Sequence, residues 1–524
     1  MYNEKEDRAV GCIIGAAVGD AIGAPTEYIS SEDLSKYYGG RADKFMGPCP
    51  SSPCKHLSAG QYTDDTQQLI ALAESLVRKR GFSMEDFGKK LAYWGKRNQD
   101  DFNFCRFPGG TSMRAAAKLL HGGDPRRTGS ESARTCGSAM RVAPVGVMWY
   151  QDLENLVKVA RQSSVPTHNS TVTRESCAAV AATIGYLMNG YSKEEAIEKA
   201  LDHVEDNELY ERIRHAVSIK DKSISDAIKE IGTYEAAIET VPFAFYAFAK
   251  GADFRDVVAI GASACPGDTD SIACIAGSMA GAFYGYSGIP DDLKGSRLED
   301  HDYLVQLGEQ LLNPFACRIE MHSHTRNGKD CAMTNEQAIT RAKEIGLDGI
   351  AITEHMSFEA SESADNASAL LSFPVIRGAE YHTDKGHFLI FGIDSDEVFR
   401  KFGKYGPAQE IIDFVVEKGG VAIPSHPYKK DYTKKLCDDI YNIRNISAVE
   451  VLNGQLSDED NKKGQEAAAK LDLPGTGGSD AHCPGEVGVF FTEFENPVRT
   501  IEELVAEIKK GKFKARNGRV LLSP

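Results

Sequence analysis

Residues 61–80 read "QYTDDTQQLIALAESLVRKR", and after Thr63 the apolar residues recur with the period of a helix that buries one face. Thr63 offers an N-cap oxygen, and Asp64 and Asp65 put negative charge where a helix dipole favours it. The same helical texture runs through "TRESCAAVAATIGYLMNG" (173–190), "KEEAIEKALDHV" (193–204) and "TVPFAFYAFAKG" (240–251), with little β-branched alternation. The first part of the chain therefore reads as all-α.

The texture changes once, near residues 288–318. Beyond it, short β-rich runs such as "GIAITEH" (349–355), "PVIRGAEY" (374–381), "HFLIFGI" (387–393) and "GGVAIPSHP" (419–427) alternate with amphipathic helices such as "TNEQAITRAKEIGLD" (334–348) and "TIEELVAEIKKGKF" (500–513). That alternation predicts βα units and a mainly parallel sheet or barrel. A length of 524 residues exceeds what one core usually organises, so a domain of residues 1–313, an Asn-Pro hinge at 313–314 and a second domain of residues 318–520 are expected.

A formal net charge of -16 argues against a general nucleic-acid or anionic-membrane binder. The N-terminal apolar run is broken by Asp20 and lacks a basic leader, which predicts neither a secretion signal nor a membrane span, and hence a cytoplasmic protein. The twelve cysteines are scattered, mostly in apolar segments, the habit of reduced thiols. In "CPSSPCKH" (49–56), Cys49, Cys54 and His56 stand alone, with no second ligand pair to complete a structural zinc site.

Two helix starts carry more acid than capping needs. Asp64 and Asp65 follow Thr63; Asp268 and Asp270 precede Ser271 in "PGDTDS" (266–271). One oxygen suffices for a cap, whereas these sets are the oxygen-rich kind that Mg²⁺ or Mn²⁺ prefers. The helices around them, "VGCIIGAAVGDAIGAPTEY" (10–28) and "SIACIAGSMAGAFYG" (271–285), are lined with small residues. Close approach of the two would bring Asp20 and Glu27 toward the same point. A di-iron bundle, the rival helical carboxylate site, wants Glu-x-x-His, and no histidine here has a glutamate three residues before it.

These stretches, with "TCGSAMRVAPVGV" (135–147), "PTHNS" (166–170) and "IETVPFAFYAF" (238–248), resemble the ADP-ribosylglycohydrolase family, the group that includes the dinitrogenase-reductase-activating glycohydrolases, over about the first 310 residues. The resemblance implies an all-α fold with two Mg²⁺ or Mn²⁺ ions held by Thr63, Asp64, Asp65, Asp268, Asp270 and Ser271. It implies a catalytic part for Glu27, with Asp101 in "NQDDFNFCRFPGGTS" (98–112) as a second candidate; a solvated loop is the competing reading of Asp100 and Asp101. Gly110, Thr111, Ser112, Gly137, Ser138, Met140 and His168 would line the substrate. Cys136 stands where the family often has Asn, which bears on the leaving group. The substrate would be an ADP-ribosylated protein, nucleic acid or small molecule, cleaved at C1″ through an oxocarbenium-like transition state. A pure ADP-ribose-binding module joined to a phosphatase or nuclease is the alternative; it would not need both Asp pairs.

In the second half, ligand-type residues recur at the ends of successive expected strands: His322 and His324, His355, Glu380, His426, Asp480 and His482, with His387 opening a strand. Strand ends are where barrel enzymes assemble their sites, and the mix suits two or three ions of Zn²⁺, Mn²⁺ or Fe. The pieces "HSH", "ITEH", "GAE", "SHP" and "GSDAH", in this order, resemble the PHP (polymerase and histidinol phosphatase) family over roughly 318–515. This implies a distorted (β/α)₇ barrel that hydrolyses a phosphoester or cyclic phosphate. In "HTRNGKDC" (324–331), Asp330 is the candidate for the remaining first-motif ligand, and Arg377 reads as a surface ion pair beside the strand that ends at Glu380.

Overall fold

Helix α1 (Glu4–Gly23) starts at a capping box in which Asn3 and Glu6 satisfy each other's backbone N–H groups. Its glycines recur every fourth residue and lie against the helix Thr269–Tyr284. A Cβ on Gly15 would sit 2.3 Å from the carbonyl oxygen of Gly277, and one on Gly19 2.0 Å from that of Ala273, so only glycine permits this backbone contact. The segment Glu4–Thr26 is long and apolar enough to cross a bilayer, yet from Ala9 to Thr26 it is wholly buried within the unit. It is the central helix of a bundle.

The computed structural model describes residues 2–393, 395–430 and 434–523. It divides into Met1–Pro314 and Phe315–Ser523. The first unit continues through α2 (Ser31–Tyr38), α3 (Asp64–Lys79), α4 (Met84–Asp100) and α5 (Gly110–Leu120) to a last helix, His301–Leu312. Among its described residues there is no strand. Two isolated bridges, Ser130–His168 and Thr135–Ala236, tie together the loops that carry His168 and Thr135.

The second unit contains β1 (Cys317–Glu320), β2 (Gly349–His355), β3 (Val375–Thr383), β4 (Gly386–Phe391), β5 (Val421–Pro424), β6 (Val449–Asn453), β7 (Gly475–Gly478), β8 (Phe490–Phe494) and β9 (Phe513–Asn517). Seven form one sheet, ordered β5-β4-β3-β2-β1-β8-β9, and β6 pairs with β7 apart from it. The expectation of a mainly parallel sheet is corrected here. Only β1–β2, β2–β3 and β6–β7 are parallel; β1–β8, β3–β4, β4–β5 and β8–β9 are antiparallel. The cause is local in part: Asp384 and Lys385 are the only residues between β3 and β4, which is a hairpin connection and excludes a parallel pair. Ile319, Leu389, Phe391, Ile423, Leu504 and Ile508 pack in one core, so the helix Ile501–Lys510 covers one face of the sheet.

Candidate functional site

Helix α3 is capped by Thr63, whose hydroxyl accepts from the Asp65 backbone N–H at 3.3 Å. Its capping therefore consumes neither carboxylate. At the start of the helix Thr269–Tyr284, Asp268 occupies the N-cap position yet makes no capping bond with its side chain; it accepts instead from the Cys136 thiol at 3.1 Å. Asp20 clamps the two helix systems together. Its carboxylate accepts from Thr63 N–H at 2.8 Å, Thr66 N–H at 3.0 Å and the Thr66 hydroxyl at 2.6 Å. Asp20 thus positions α3 and is already fully used.

Glu27, Asp64, Asp65, Asp268, Asp270 and Ser271 line a cavity of about 390 Å³, together with Gly110, Thr111, Ser112, Gly137, Met140 and His168. Three sequence candidates lie elsewhere. Thr63 spends its hydroxyl on the cap, and Ser138 is buried behind the wall against Ser164, 2.8 Å away. Asp101 closes α4, where it accepts from the Asn103 N–H at 3.0 Å and lies 3.6 Å from Arg97. The cavity also uses residues the sequence did not single out for the site, among them Tyr28, Phe107, Arg114, Thr135 and Glu235. Tyr28 and Phe107 both have positive φ, 52° and 56°, a costly backbone for aromatic residues. The Cys49, Cys54 and His56 cluster does not assemble as ligands: Cys54 donates to Glu27 at 3.4 Å, and His56 binds the Cys105 carbonyl at 2.8 Å.

The cavity floor is built for a cation. Glu27, Asp268 and Asp270 each bring an oxygen within 4.8 Å of the others. Oδ2 of Asp65 and Oδ1 of Asp270 are buried with no hydrogen-bond partner, a cost that a bound positive charge removes. Burial, then the neighbouring Asp20, pushes Asp64 up to about 8. Burial and surrounding carboxylates hold Glu27, Asp65 and Asp270 well above the usual range. An all-oxygen donor set of this kind fits Mg²⁺ or Mn²⁺. Burial lowers His168 to about 3, so it is neutral.

In the second unit, His322 and His324 follow β1, His355 ends β2, Glu380 lies in β3, His387 in β4, and His426 and Asp480 follow β5 and β7. They converge as overlapping sets: His324, Asp330, His355 and His482; His322, His324 and Asp480; His322, Glu380 and His426; His355, Glu380 and His382. His387 reaches the cluster through Glu380, 2.9 Å from its Nδ1. His382 was not singled out in the sequence. It shares a face of β3 with Glu380 by the two-residue period of a strand, which was the available signal. Glu450, also missed, lies 3.0 Å from Nδ1 of His322 and accepts from the His426 N–H at 2.7 Å, the carboxylate support that metal-binding histidines commonly have.

Nitrogen atoms here face one another: Nε2 of His322 and of His324 are 3.1 Å apart, and Nε2 of His382 is 2.9 Å from Nδ1 of His355. Nδ1 of His324 is buried without a hydrogen-bond partner, and Oε2 of Glu380 lies 2.9 Å from Nδ1 of His355. His426 and Asp480 have φ of 32° and 52°, strain of the kind that collects at functional sites. Burial would disfavour the charged forms, but the histidines outweigh it and hold Glu380 and Asp480 well below the usual carboxylate range. A mixed nitrogen and oxygen set of this kind fits Zn²⁺, Mn²⁺ or Fe. Arg377 pairs with Asp365 at 3.3 Å.

Comparison with known proteins agrees with this division. A family model described as ADP-ribosylglycohydrolase matches residues 1–319, and one described as PHP-associated matches residues 458–513. An uncharacterized protein of Archaeoglobus fulgidus is 37% identical over 309 residues, 58% of this chain and 96% of its own. The ADP-ribosylarginine hydrolase Tri1 of Serratia proteamaculans is 29% identical over 313 residues, 59% of this chain and 80% of its own. A solved structure titled "ADP-ribosylglycohydrolase-related protein complex" aligns with a TM-score of 0.50 at 27% identity, covering 60% of this chain and 99% of that one.

Proposed function

Since the chain belongs to the ADP-ribosylglycohydrolase family and is a hydrolase of ADP-ribose linkages, we propose that its first unit removes ADP-ribose from a modified acceptor by cleaving the N- or O-glycosidic bond at C1″. The observation that carries this reading is the pair of buried, unpartnered carboxylate oxygens on Asp65 and Asp270, two residues that line one cavity with Glu27. Two Mg²⁺ or Mn²⁺ ions held by Asp64, Asp65, Asp268, Asp270 and Ser271 would supply the positive charge that orients ribose hydroxyls and acidifies water. Glu27 is the carboxyl that moves the proton, because it lines the cavity beside Asp268 and Asp270 and burial raises its hold on a proton. The start of α5, with Gly110, Thr111 and Ser112, lines the cavity and has no side-chain cap, so its backbone N–H groups are available to the anionic part of the substrate.

The name of the Serratia relative makes arginine the first acceptor to try. An ADP-ribosyl-arginine peptide incubated with the chain and Mn²⁺ is expected to release free ADP-ribose by mass spectrometry, and an Asp64→Asn, Asp65→Asn variant is expected to release none. Retained binding of ADP-ribose by the wild type without release, across serine and nucleobase acceptors as well, would favour the binding-module reading.

For the second unit we propose a PHP-type phosphoesterase, with the mixed sheet and the β6–β7 pair as its distorted barrel. The overlap of the four ligand sets carries this reading, since Glu380 and His355 each serve two of them and shared ligands are what a two- or three-metal cluster requires. Phosphate release from a panel of phosphomonoesters and cyclic phosphates, lost in Asp480→Asn, is the expected result. Fewer than two transition metals per chain would overturn it.

A further inference from the structure

Behind the cavity wall lies Arg141, fully buried, with Nη1 2.5 Å from Oε1 of Gln68 and Nη2 2.8 Å from Oγ1 of Thr167 and 3.2 Å from the Ser163 carbonyl. A guanidinium can only donate. Both of its side-chain partners must therefore accept, and this fixes the direction of every hydrogen bond that follows. On one arm, the Gln68 oxygen faces Arg141, so its amide nitrogen faces Asp64 and donates to Oδ2 at 2.7 Å. On the other arm, Thr167 has no exposed surface and one remaining neighbour, Nδ1 of His168, at 2.8 Å. A buried hydroxyl hydrogen without a partner is costly, so Thr167 donates to that nitrogen.

The consequence passes through the ring. His168 then carries its hydrogen on Nε2, which lies 2.9 Å from Oγ1 of Thr135, and Thr135 must accept there. Among the described residues Thr135 Oγ1 has no other hydrogen-bond partner, and the residue lines the cavity. Its own hydrogen is left to point at whatever fills the cavity.

We propose that Thr135 is a ligand-binding residue whose hydroxyl donates to an oxygen of the bound ADP-ribosyl group that carries no hydrogen, a phosphoryl or ribose-ring oxygen, with its polarity set by Arg141 through Thr167 and His168. The assignment rests on the reading of the cavity as an ADP-ribose site, and the test separates the two.

The full chain is titrated with ADP-ribose and Mg²⁺ by calorimetry. Thr135→Val, which keeps the shape and removes the donor, is expected to bind about ten-fold more weakly, and Thr135→Ser close to wild type. The ¹⁵N spectrum of the histidines, with His168 assigned by its loss in His168→Asn, is expected to show hydrogen on Nε2 in the wild type. Thr167→Val is expected to relax that preference and to weaken ADP-ribose binding in the same direction. Equal affinity of Thr135→Val and wild type, or hydrogen on Nδ1 of His168, overturns the proposal alone. A wild type that binds no ADP-ribose overturns the reading of the cavity, and this assignment with it.

Discussion

Asp20 holds the start of α3 with both of its carboxylate oxygens. Small residues on either side of it made a close helix contact legible, and with it the convergence of acids; that Asp20 would spend both oxygens on α3 depends on contacts 43 and 46 residues away, which no local pattern records. Replacing it by Ala leaves two backbone N–H groups and one hydroxyl buried without partners. At roughly 1–3 kcal/mol for each such group, a loss of at least about 3 kcal/mol is expected in urea unfolding. A loss below about 1 kcal/mol would mean that the clamp is not there. His382 poses the complementary case. Its place opposite His355 became visible only when β2 and β3 paired in parallel, with His355 beside Glu380. His382→Ala is expected to weaken retention of one transition metal about ten-fold or more, read by metal analysis after graded chelation, whereas Arg377→Ala should leave the metal content unchanged.

The raised carboxylates make a pH prediction of definite sign. Asp64 lies at about 8 in the folded chain against an ordinary value of 3.8, so the folded state binds more protons than the unfolded one between these values. Its contribution to stability is complete below about pH 4 and is lost as the pH climbs toward 8. His355, held up to about 10 against 6.5 although burial opposes it, by Asp330 and Glu380, loses its contribution in the same direction between 6.5 and 10. Glu380 and Asp480 are shifted the other way, and their contributions are already complete by about pH 5. The thermal midpoint in chelator is therefore expected to fall from pH 6.5 to 8, above the range in which the depressed His168, His324 and His382 add stability as the pH rises, while the stabilisation added by Mn²⁺ grows over the same range, because the ion binds deprotonated oxygens. A flat profile in chelator would contradict the burial of these acids together.

At the scale of elements, the contact between α1 and the helix Thr269–Tyr284 is the device that makes the first site. Glu27 follows the end of one helix, and Asp268 and Asp270 open the other, so the distance between the backbones sets the distance between the ligands. Gly19→Ala would push a Cβ into the Ala273 carbonyl, and overpacking of this kind typically costs about 1–3 kcal/mol. The expected result is a destabilised chain whose Mn²⁺ affinity falls as well. The same change at Gly47, where nothing lies within 4 Å, should alter neither. The amphipathic helices were legible by the period of the stripe each buries, whereas α1 and the helix Thr269–Tyr284, buried on every side, were legible by their small residues. The sheet was legible strand by strand, and its order was not, since β1 finds β8 across some 170 residues and nothing in either strand names its partner.

At the scale of the molecule, the site of the ADP-ribosylglycohydrolase unit and the proposed phosphoesterase site lie in units that part at Pro314 and Phe315, each with its own core. Fragments 1–314 and 315–524 are therefore expected to fold separately, each with a cooperative urea transition and its own metal complement. The shared chain matters only if one site's product is the other's substrate. In that case linkage holds the second site at a high effective concentration near the first, and the intermediate is consumed before it escapes. The severed units mixed at equal concentration remove that advantage and leave both sites intact. With an ADP-ribosylated substrate, the intact chain is then expected to convert released ADP-ribose, or a phosphate derived from it, with a shorter lag and less accumulation than the mixture. Identical time courses would assign the two units to separate reactions, and the substrate of the second would have to be sought among phosphoesters unrelated to the first.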